Sequence, residues 1–197
     1  MSWLKEWQEL EGVGLFLGSL DLLTQNYALE AAEPKYRNRE KAAIQQFLKD
    51  RYPNNVIIKD ENGKPFFSNQ EIHFNYSHSQ EDFFWGEHKQ FPIGVDVECE
   101  RPQILRVAHK FCNEEEWDYT QQGTNIAQLL AIWSAKESMF KAYGKGIVDF
   151  KLDMHIAPFT LKESGVLQAN FYAGKERRLT IHYRRFNSSI CTWTLWR

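Results

Sequence analysis

The chain has 197 residues, 43% hydrophobic and 15% aromatic, which is enough apolar mass for one packed domain or two small ones and argues against a disordered chain. Its 24 basic and 26 acidic residues leave a formal charge of −2, so no global positive field predicts a nucleic-acid partner. No apolar run approaches the roughly 20 residues of a membrane span. Three widely spaced cysteines (Cys99, Cys112, Cys191), without a recognisable targeting peptide, are typical of a reduced cytoplasmic protein.

The first part of the chain predicts a buried strand followed by two helices. Residues 13–17 are an apolar run of strand length. A helix follows a capping residue at Ser19 or Asp21 and is stopped by Pro34. A second helix is predicted over residues 36–52, and its start is basic (Lys35, Arg37, Arg39, Lys41). Because cations at a helix N-terminus oppose the helix dipole, this end is either an ordinary solvated face or a site for an anion such as phosphate.

Short strands and turns come next. A strand at residues 56–58 leads into a turn with Asn-Gly chemistry at residues 61–65. Residues 72–79, IHFNYSHS, predict a strand with aromatic side chains on one face and polar side chains on the other, ending in a polar Ser-His-Ser exit. A further strand is predicted at residues 83–86.

The segment FPIGVDVE, residues 91–98, predicts a strand that carries two neighbouring carboxylates. Alternation places the apolar side chains on one face and both Asp96 and Glu98 on the other, about 7 Å apart. Two such carboxylates repel each other unless solvent screens them or a cation lies between them. The pair is therefore either an ordinary solvent-facing edge or half of a divalent cation site with hard oxygen ligands.

Residues 125–144 predict a long helix with a charge in its apolar stripe. The stripe consists of Ile126, Leu129, Leu130, Trp133 and Phe140. Glu137 projects into the middle of this stripe, and Lys136 and Lys141 flank it. A carboxylate at such a position needs compensation, which could be a buried ion pair, a metal ion or a substrate.

The order of the elements predicts an α+β fold in two halves. Two helices, beginning near Pro102 and Asn113, precede the long helix, and four short antiparallel strands follow it. The rhythm of strands and helices before residue 90 resembles that after it. We therefore predict an N-terminal half at residues 1–92 and a C-terminal half at residues 93–197, each an antiparallel sheet with a long helix.

Four motifs in this sequence resemble those of one known enzyme family. GVDVE (94–98) followed by WSAKESMFKAYGKG (133–146) is similar to the two signature motifs of the 4′-phosphopantetheinyl transferases. GKP (63–65) and FNYSHS (74–79) resemble the upstream motifs of the larger, monomeric, surfactin-synthetase-activating branch. This family transfers the phosphopantetheine arm of coenzyme A to a serine of an apo carrier protein, acyl or peptidyl, and releases 3′,5′-ADP. Its larger members have two similar α+β halves related by a pseudo-twofold axis.

The resemblance also implies a role for each matching residue. Asp96, Glu98 and Glu137 would bind Mg²⁺, and Glu137 would also be the base that takes the serine proton. Lys141 would neutralise the pyrophosphate and assist the leaving group. The implied coenzyme contacts are Ser77 and His78 at the phosphates, Lys64 near the nucleotide, Arg37 and Arg39 at the 3′-phosphate or adenine, and Lys136 at a phosphate or an acidic partner. We expect the carrier to dock near residues 106–111 and 143–147.

Two rival functions use the same residue types. A Mg²⁺-dependent phosphohydrolase or nuclease could use the three carboxylates without a carrier surface. A non-catalytic protein could keep the coenzyme A cleft without turnover. The transferase reading predicts a monomeric cytoplasmic enzyme that binds Mg²⁺, coenzyme A and a carrier protein, and neither nucleic acid nor a membrane.

Overall fold

The computed structural model describes residues 4–9, 12–27, 36–61 and 63–197 of the chain. In these ranges the strands are β1 (Leu4–Gln8), β2 (Gly14–Ser19), β3 (Ile57–Lys59), β4 (Pro65–Phe67), β5 (His73–Ser79), β6 (Asp82–His88), β7 (Ile93–Cys99), β8 (Met154–Ile156), β9 (Ser164–Phe171), β10 (Arg177–Phe186) and β11 (Ser189–Leu195). The helices are α1 (Leu20–Tyr27), α2 (Tyr36–Arg51), α3 (Ile104–Phe111), α4 (Glu114–Tyr119) and α5 (Ile126–Tyr143). None of these helices is long and apolar enough to cross a bilayer.

Two antiparallel sheets organise the molecule. The first has the strand order β1-β2-β6-β5, and the second has the order β7-β11-β10-β9-β8, while β3 and β4 form a separate hairpin. This confirms the predicted α+β class with antiparallel sheets. The pseudo-twofold relation between two halves and the division at residue 92 remain predictions.

A shared apolar core joins the two sheets. It packs side chains of β2 and β6 (Leu15, Leu17, Phe84) against side chains of β7 and β11 (Val95, Val97, Cys191, Trp193). At the edge of this core, β5 of the first sheet lies beside β7 of the second. Ser77 contacts Asp96, and Ser79 contacts Glu98, with the same sequence offset, so the two strands run in the same direction here. The polar faces of β5 and β7 meet at this seam.

Helix α5 covers the face of the second sheet that carries the two carboxylates. Its N-cap is Asn125, whose side chain accepts a hydrogen bond from the Gln128 amide, and it ends at Gly144 in the left-handed conformation. Gly94 of β7 lies directly under it, and a Cβ there would stand 1.9 Å from the carbonyl oxygen of Ser138. Only glycine permits this close approach, which brings the helix against the carboxylate strand.

The orientation of α5 differs from the prediction. Leu129 and Leu130 are buried as expected, but Trp133, Glu137 and Phe140 are only half-buried, and the buried face continues through Ile132, Ala135, Met139 and Ala142. The predicted stripe was therefore partly wrong, because the helix is apolar on nearly all sides and its periodicity did not define a single core face. Glu137 lies at the edge of the core, where it can reach the seam between the sheets.

Candidate functional site

The seam between β5, β7 and α5 brings three polar side chains into direct contact. The Lys141 ammonium lies 2.7 Å from Asp96 Oδ1 and donates to Ser77 Oγ at 2.9 Å, and Ser77 Oγ lies 2.8 Å from the same Asp96 oxygen. Asp96 is only 3% exposed. The buried carboxylate therefore has one oxygen paired with a lysine and a serine, and three elements converge on it.

The second oxygen of Asp96 has no hydrogen-bond partner among the described residues. The same is true of Oδ1 of Asn75, which lies two residues before Ser77 on the same face of β5 and is 6% exposed. Buried polar atoms without partners are costly, and their presence points to a missing ligand or ion. The cluster is thus incomplete as the protein alone.

Glu98 is held by side chains of three other residues. The Trp133 indole donates to Glu98 Oε1 at 2.8 Å, while Arg101 and Ser79 donate to Oε2 at 3.0 and 3.3 Å. Burial and then the neighbouring Asp96 raise the pKa of Glu98, and the hydrogen bond from Trp133 opposes this. These three donors fix the orientation of Glu98, but repulsion from Asp96 still disfavours its ionised form.

Glu137 is the least satisfied of the three carboxylates. The described residues offer it no hydrogen bond or ion pair, and its pKa is raised to about 7. Burial is the main cause, followed by repulsion from Asp96, and Lys141 only partly offsets them. A carboxyl group with such a pKa is near the optimum for accepting a proton at neutral pH.

These carboxylates suit a hard divalent cation by chemistry, although they do not form a ready cage. No group of three or more His, Cys, Asp or Glu side chains in the described ranges already has metal-binding geometry. However, Asp96 presents a free buried oxygen, and Glu137 carries a charge destabilised by Asp96 and Glu98. A divalent cation would relieve both, so the residues fit one.

Lys136, predicted as a phosphate or partner contact, does not belong to this site. It is fully buried, and its ammonium contacts Glu116 Oε2 at 2.6 Å and the carbonyl oxygens of Phe111 and Phe150 at 2.7 and 2.9 Å. Its three hydrogens already have acceptors, so none is available to a phosphate. The prediction disagrees with this placement, because Lys136 projects to the core side of α5.

Lys64 approaches the site from the turn between β3 and β4. Its ammonium donates to the carbonyl oxygen of Lys141 at 2.6 Å, and burial lowers its pKa. It also lies against Gly144, where a Cβ would come within 2.8 Å of its nitrogen. An open cavity of about 800 Å³ begins here, lined by Lys64, Pro92 and residues 142–146 among others. Lys64 therefore borders a space that a nucleotide could occupy.

The other predicted coenzyme contacts are not brought into the cluster. His78 is exposed and lies on the face of β5 opposite to Ser77. Arg37 and Arg39 lie in the first turn of α2, but their side chains fall outside the described part of the structure, as does Lys35. Of the predicted site residues, Ser77, Asp96 and Lys141 are in direct contact, while Glu98 and Glu137 adjoin them.

Sequence reasoning missed the residues that orient the site. Ser79 and Arg101 hold Glu98, and Trp133, predicted as core, donates a hydrogen bond to it. Position in the chain offered one usable signal: Ser79 follows Ser77 at the same-face spacing that separates Asp96 from Glu98. Trp133 and Arg101 could not be assigned without the packing of α5 on β7.

Comparison with protein families gives a match to the C-terminal part of the chain. Residues 92–192 match the model described as the 4′-phosphopantetheinyl transferase superfamily. This range includes Asp96, Glu98, Glu137 and Lys141. Ser77 and Lys64 lie before it.

Several curated relatives carry the same description. The chain is 36% identical over 100 residues to 4′-phosphopantetheinyl transferase gsp of Aneurinibacillus migulanus, covering 48% of this chain and 41% of the relative. It is 37% identical over 97 residues to 4′-phosphopantetheinyl transferase psf-1 of Bacillus pumilus, covering 47% and 41%. It is 33% identical over 91 residues to 4′-phosphopantetheinyl transferase Sfp of Bacillus subtilis (strain 168), covering 44% and 40%. These matches span less than half of each relative's length.

Proposed function

Because the chain belongs to the 4′-phosphopantetheinyl transferase superfamily, we propose that it transfers the 4′-phosphopantetheine arm of coenzyme A to a serine of an apo carrier protein and releases 3′,5′-ADP. The membership itself confirms the resemblance drawn from the four motifs. The reaction, its dependence on Mg²⁺, a monomeric state and a cytoplasmic location are proposals for this chain.

One observation carries the proposal: the incomplete polar cluster around Asp96. Asp96 Oδ2 is buried and has no partner in the described chain, and an unpaired buried carboxylate oxygen is typical of a site that a cation or ligand completes. The cluster lies where two sheets meet, and Lys64, which donates to the carbonyl oxygen of Lys141, borders an open cavity. An acidic trio with a lysine suits a metal-bound pyrophosphate, because each component neutralises another.

We assign Asp96, Glu98 and Glu137 to the holding of Mg²⁺. When bound, the ion supplies Lewis acid stabilisation of negative charge on the pyrophosphate oxygens. The protein contributes orientation: Trp133, Arg101 and Ser79 fix Glu98, and Ser77 fixes Asp96. Fixed ligands of this kind need no rearrangement at the moment of reaction.

We assign proton transfer to Glu137 and charge neutralisation to Lys141. Glu137 accepts the proton of the carrier serine directly or through a water molecule, so that the serine oxygen can attack the phosphorus. The bond between that phosphorus and the bridging oxygen breaks, and the leaving phosphate of 3′,5′-ADP gains negative charge. Lys141 lies one helical turn from Glu137 and stabilises that charge.

Ser77 and Lys64 are assigned to the coenzyme with different support. Ser77 touches both Asp96 and Lys141, so its hydroxyl adjoins the proposed metal ligand and the proposed phosphate contact. Lys64 borders the cavity of about 800 Å³, which makes the nucleotide its proposed neighbour. His78, Arg37 and Arg39 remain proposed phosphate or adenine contacts on the strength of the resemblance alone.

The carrier is proposed to dock on α3 and on the loop that follows α5. Leu105 and Val107 of α3 are 38% and 37% exposed, Ile147 is fully exposed, and Arg106 and Lys110 of α3 are also exposed. The resemblance implies an acidic, helical carrier protein, and this mixed basic and apolar surface suits such a partner. Arg106→Glu should weaken carrier binding and leave coenzyme A affinity unchanged. A loss of both affinities would show that the change damages the fold.

The test of the main proposal is a transfer assay. The chain is mixed with Mg²⁺, coenzyme A and each of several apo carriers, and the carrier mass is measured by mass spectrometry. A gain equal to one phosphopantetheine group supports transfer, and no gain with any carrier overturns it. Release of inorganic phosphate would favour the phosphohydrolase, whereas tight coenzyme binding without mass gain would favour a non-catalytic binder.

A further inference from the structure

The cation nearest to Asp96 is supplied by the protein itself. Lys141 Nζ lies 2.7 Å from Asp96 Oδ1, and the side chains of the pair are 23% and 4% exposed. Ser77 ties the two together, since its hydroxyl bonds both. In the ligand-free protein, Lys141 therefore neutralises the buried carboxylate of Asp96. The proposed divalent cation would need the same carboxylate as a ligand.

A divalent cation added to this arrangement meets a like charge. Its free ligand is Asp96 Oδ2, which belongs to the same carboxylate whose Oδ1 contacts the ammonium. A cation on Oδ2 would lie only a few ångströms from Lys141, where charge repulsion in a buried site is strong. Binding of the metal alone is therefore opposed as long as Lys141 stays in place.

Lys141 also has somewhere else to donate. Two of its three ammonium hydrogens are accounted for by Asp96 and Ser77, and a third is unassigned in the described structure. Asn75 Oδ1, buried and without a donor, lies one same-face position along β5, about 7 Å from Ser77. A pyrophosphate entering the seam offers a stronger, anionic acceptor still.

We propose that Lys141 is a built-in counter-ion that keeps free divalent cations off Asp96, so that this protein takes its substrate as the divalent cation complex of coenzyme A. The proposal rests on the transferase function and deepens it by naming the form of the substrate. Entry of the anionic pyrophosphate would draw the ammonium away from Asp96, which would free that carboxylate to hold the accompanying metal. No covalent step is involved.

Thermodynamic coupling follows from this exchange. If the ammonium opposes the metal and the pyrophosphate removes the ammonium, each ligand must strengthen the binding of the other by the same factor. Removing the ammonium should then raise the affinity for metal alone and reduce the coupling. Both quantities can be measured without any turnover.

The experiment titrates the intact chain with Mn²⁺ and follows free Mn²⁺ by electron paramagnetic resonance, with and without coenzyme A. Protein-free titrations correct for Mn²⁺ bound by coenzyme A in solution. For Lys141→Met we expect affinity for Mn²⁺ alone to rise about tenfold and the strengthening by coenzyme A to fall by a similar factor, within the usual range of coupling between sites. Equal affinities of wild type and Lys141→Met for Mn²⁺ alone would overturn the proposal.

Two further variants separate direct competition from a general change of charge. Lys145→Met removes an exposed lysine four residues along the chain and should change Mn²⁺ affinity by less than about twofold, because exposed charges are screened. Ser77→Ala leaves the charge unchanged but loosens the hold of Lys141 on Asp96, and should raise the affinity by a smaller factor than Lys141→Met. An equal gain in Lys145→Met, or no gain in Ser77→Ala, would contradict competition. Ser77→Ala also serves if Lys141→Met fails to fold.

The outcome is distinguishable from failure of the proposed function. If carriers gain phosphopantetheine but Lys141→Met leaves Mn²⁺ binding unchanged, transfer stands and the counter-ion role is wrong. If no carrier is modified yet Lys141→Met gains affinity, the competition at Asp96 stands and the transferase assignment is wrong.

Discussion

Two lysines of α5, Lys136 and Lys141, each form an ion pair with a carboxylate of another element, and the two pairs differ in how completely they are hydrogen-bonded. Lys136 and Glu116 are 2.6 Å apart and both fully buried, and every contact atom is used: Glu116 also accepts from the amides of Asn113 and Ile156. Lys141 and Asp96 are 2.7 Å apart, but one carboxylate oxygen has no partner among the described residues and the lysine is partly exposed. The two pairs have nearly equal lengths, so distance does not distinguish them.

The distinguishing property is whether the hydrogen-bonding capacity is complete. The Lys136 pair connects α5 to α4, to the end of α3 and to the segment before β8, and it leaves nothing for a ligand. The Lys141 pair connects α5 to β5 and β7 and leaves the buried Asp96 Oδ2 without a hydrogen-bond partner in the described chain. A satisfied buried pair is structural, while an unsatisfied one is a candidate site.

The largest expected effect is a difference in the free energy of unfolding when the lysine of each pair is replaced by Met. Lys136→Met leaves the Glu116 carboxylate buried without its cation, and we expect a loss of about 3–5 kcal/mol in the free energy of unfolding. Urea denaturation followed by circular dichroism measures it. Lys141→Met should cost less, because the Lys141 side chain is 23% exposed whereas that of Lys136 is fully buried, so solvent screens the Lys141–Asp96 pair more strongly.

A double variant checks the cause of that loss. Lys136→Met combined with Glu116→Gln removes both charges, so much of the stability lost in the single variant should return. If the double variant is as unstable as Lys136→Met alone, packing and not the unpaired carboxylate explains the loss.

The next largest effect concerns Glu137 and the rate of phosphopantetheine transfer. Glu137→Gln, next to Lys136 in sequence but directed towards the Lys141 side, should lower the transfer rate by about 10²–10⁴-fold, because the base is lost. The fold should persist, since the described chain gives Glu137 no hydrogen bond or ion pair to lose. Single-turnover transfer measured by mass spectrometry, with circular dichroism as the folding control, tests this. A near-normal rate would refute the role of Glu137.

The pH dependence of stability gives an independent view of the same carboxylate. The pKa of Glu137 in the folded chain is about 7, above its ordinary value of 4.5. Its contribution to stability is therefore fully present below pH 4.5 and is lost as the pH rises through 7, because the ionised form is disfavoured in the fold. Relative to Glu137→Gln, the wild type without metal should lose roughly 2–3 kcal/mol between pH 5 and pH 8 in urea denaturation, since one pKa unit corresponds to about 1.4 kcal/mol. An unchanged difference would show that Glu137 titrates normally.

The sequence predicted the two faces of β7 better than it predicted the buried face of α5. Alternation in GVDVE placed Asp96 and Glu98 on one face, which the structure bears out through their contacts with Ser77 and Ser79. Strand periodicity is unambiguous because successive side chains point in opposite directions. The predicted stripe of α5 was partly wrong because a helix buried on nearly all sides has no clear apolar face.

Sequence periodicity could not identify ion-pair partners that are distant in the chain. Lys136 and Lys141 both flank Glu137 in the sequence, and nothing local shows that one reaches Glu116 and the other Asp96. Their partners are 20 and 45 residues away and depend on the docking of α5 on β7 and α4. Completeness of hydrogen bonding, which distinguishes the two pairs, is a property of the packed molecule.

The smallest expected effect concerns Trp133, which donates a hydrogen bond to Glu98, the carboxylate that shares a face of β7 with Asp96. Trp133→Phe keeps a ring against Phe111 and Phe150 but removes the donor to Glu98 Oε1, and Glu98 keeps Arg101 and Ser79. We expect a loss of about 1 kcal/mol in urea denaturation, the usual net value of one hydrogen bond. Trp117→Phe is the matched control, because this half-buried indole makes no hydrogen bond within the described ranges. Equal losses of stability in both variants would mean that ring size, and not the hydrogen bond to Glu98, matters. A larger loss in Trp133→Phe, with a lower affinity for Mn²⁺, would show that the orientation of Glu98 supports the proposed metal site.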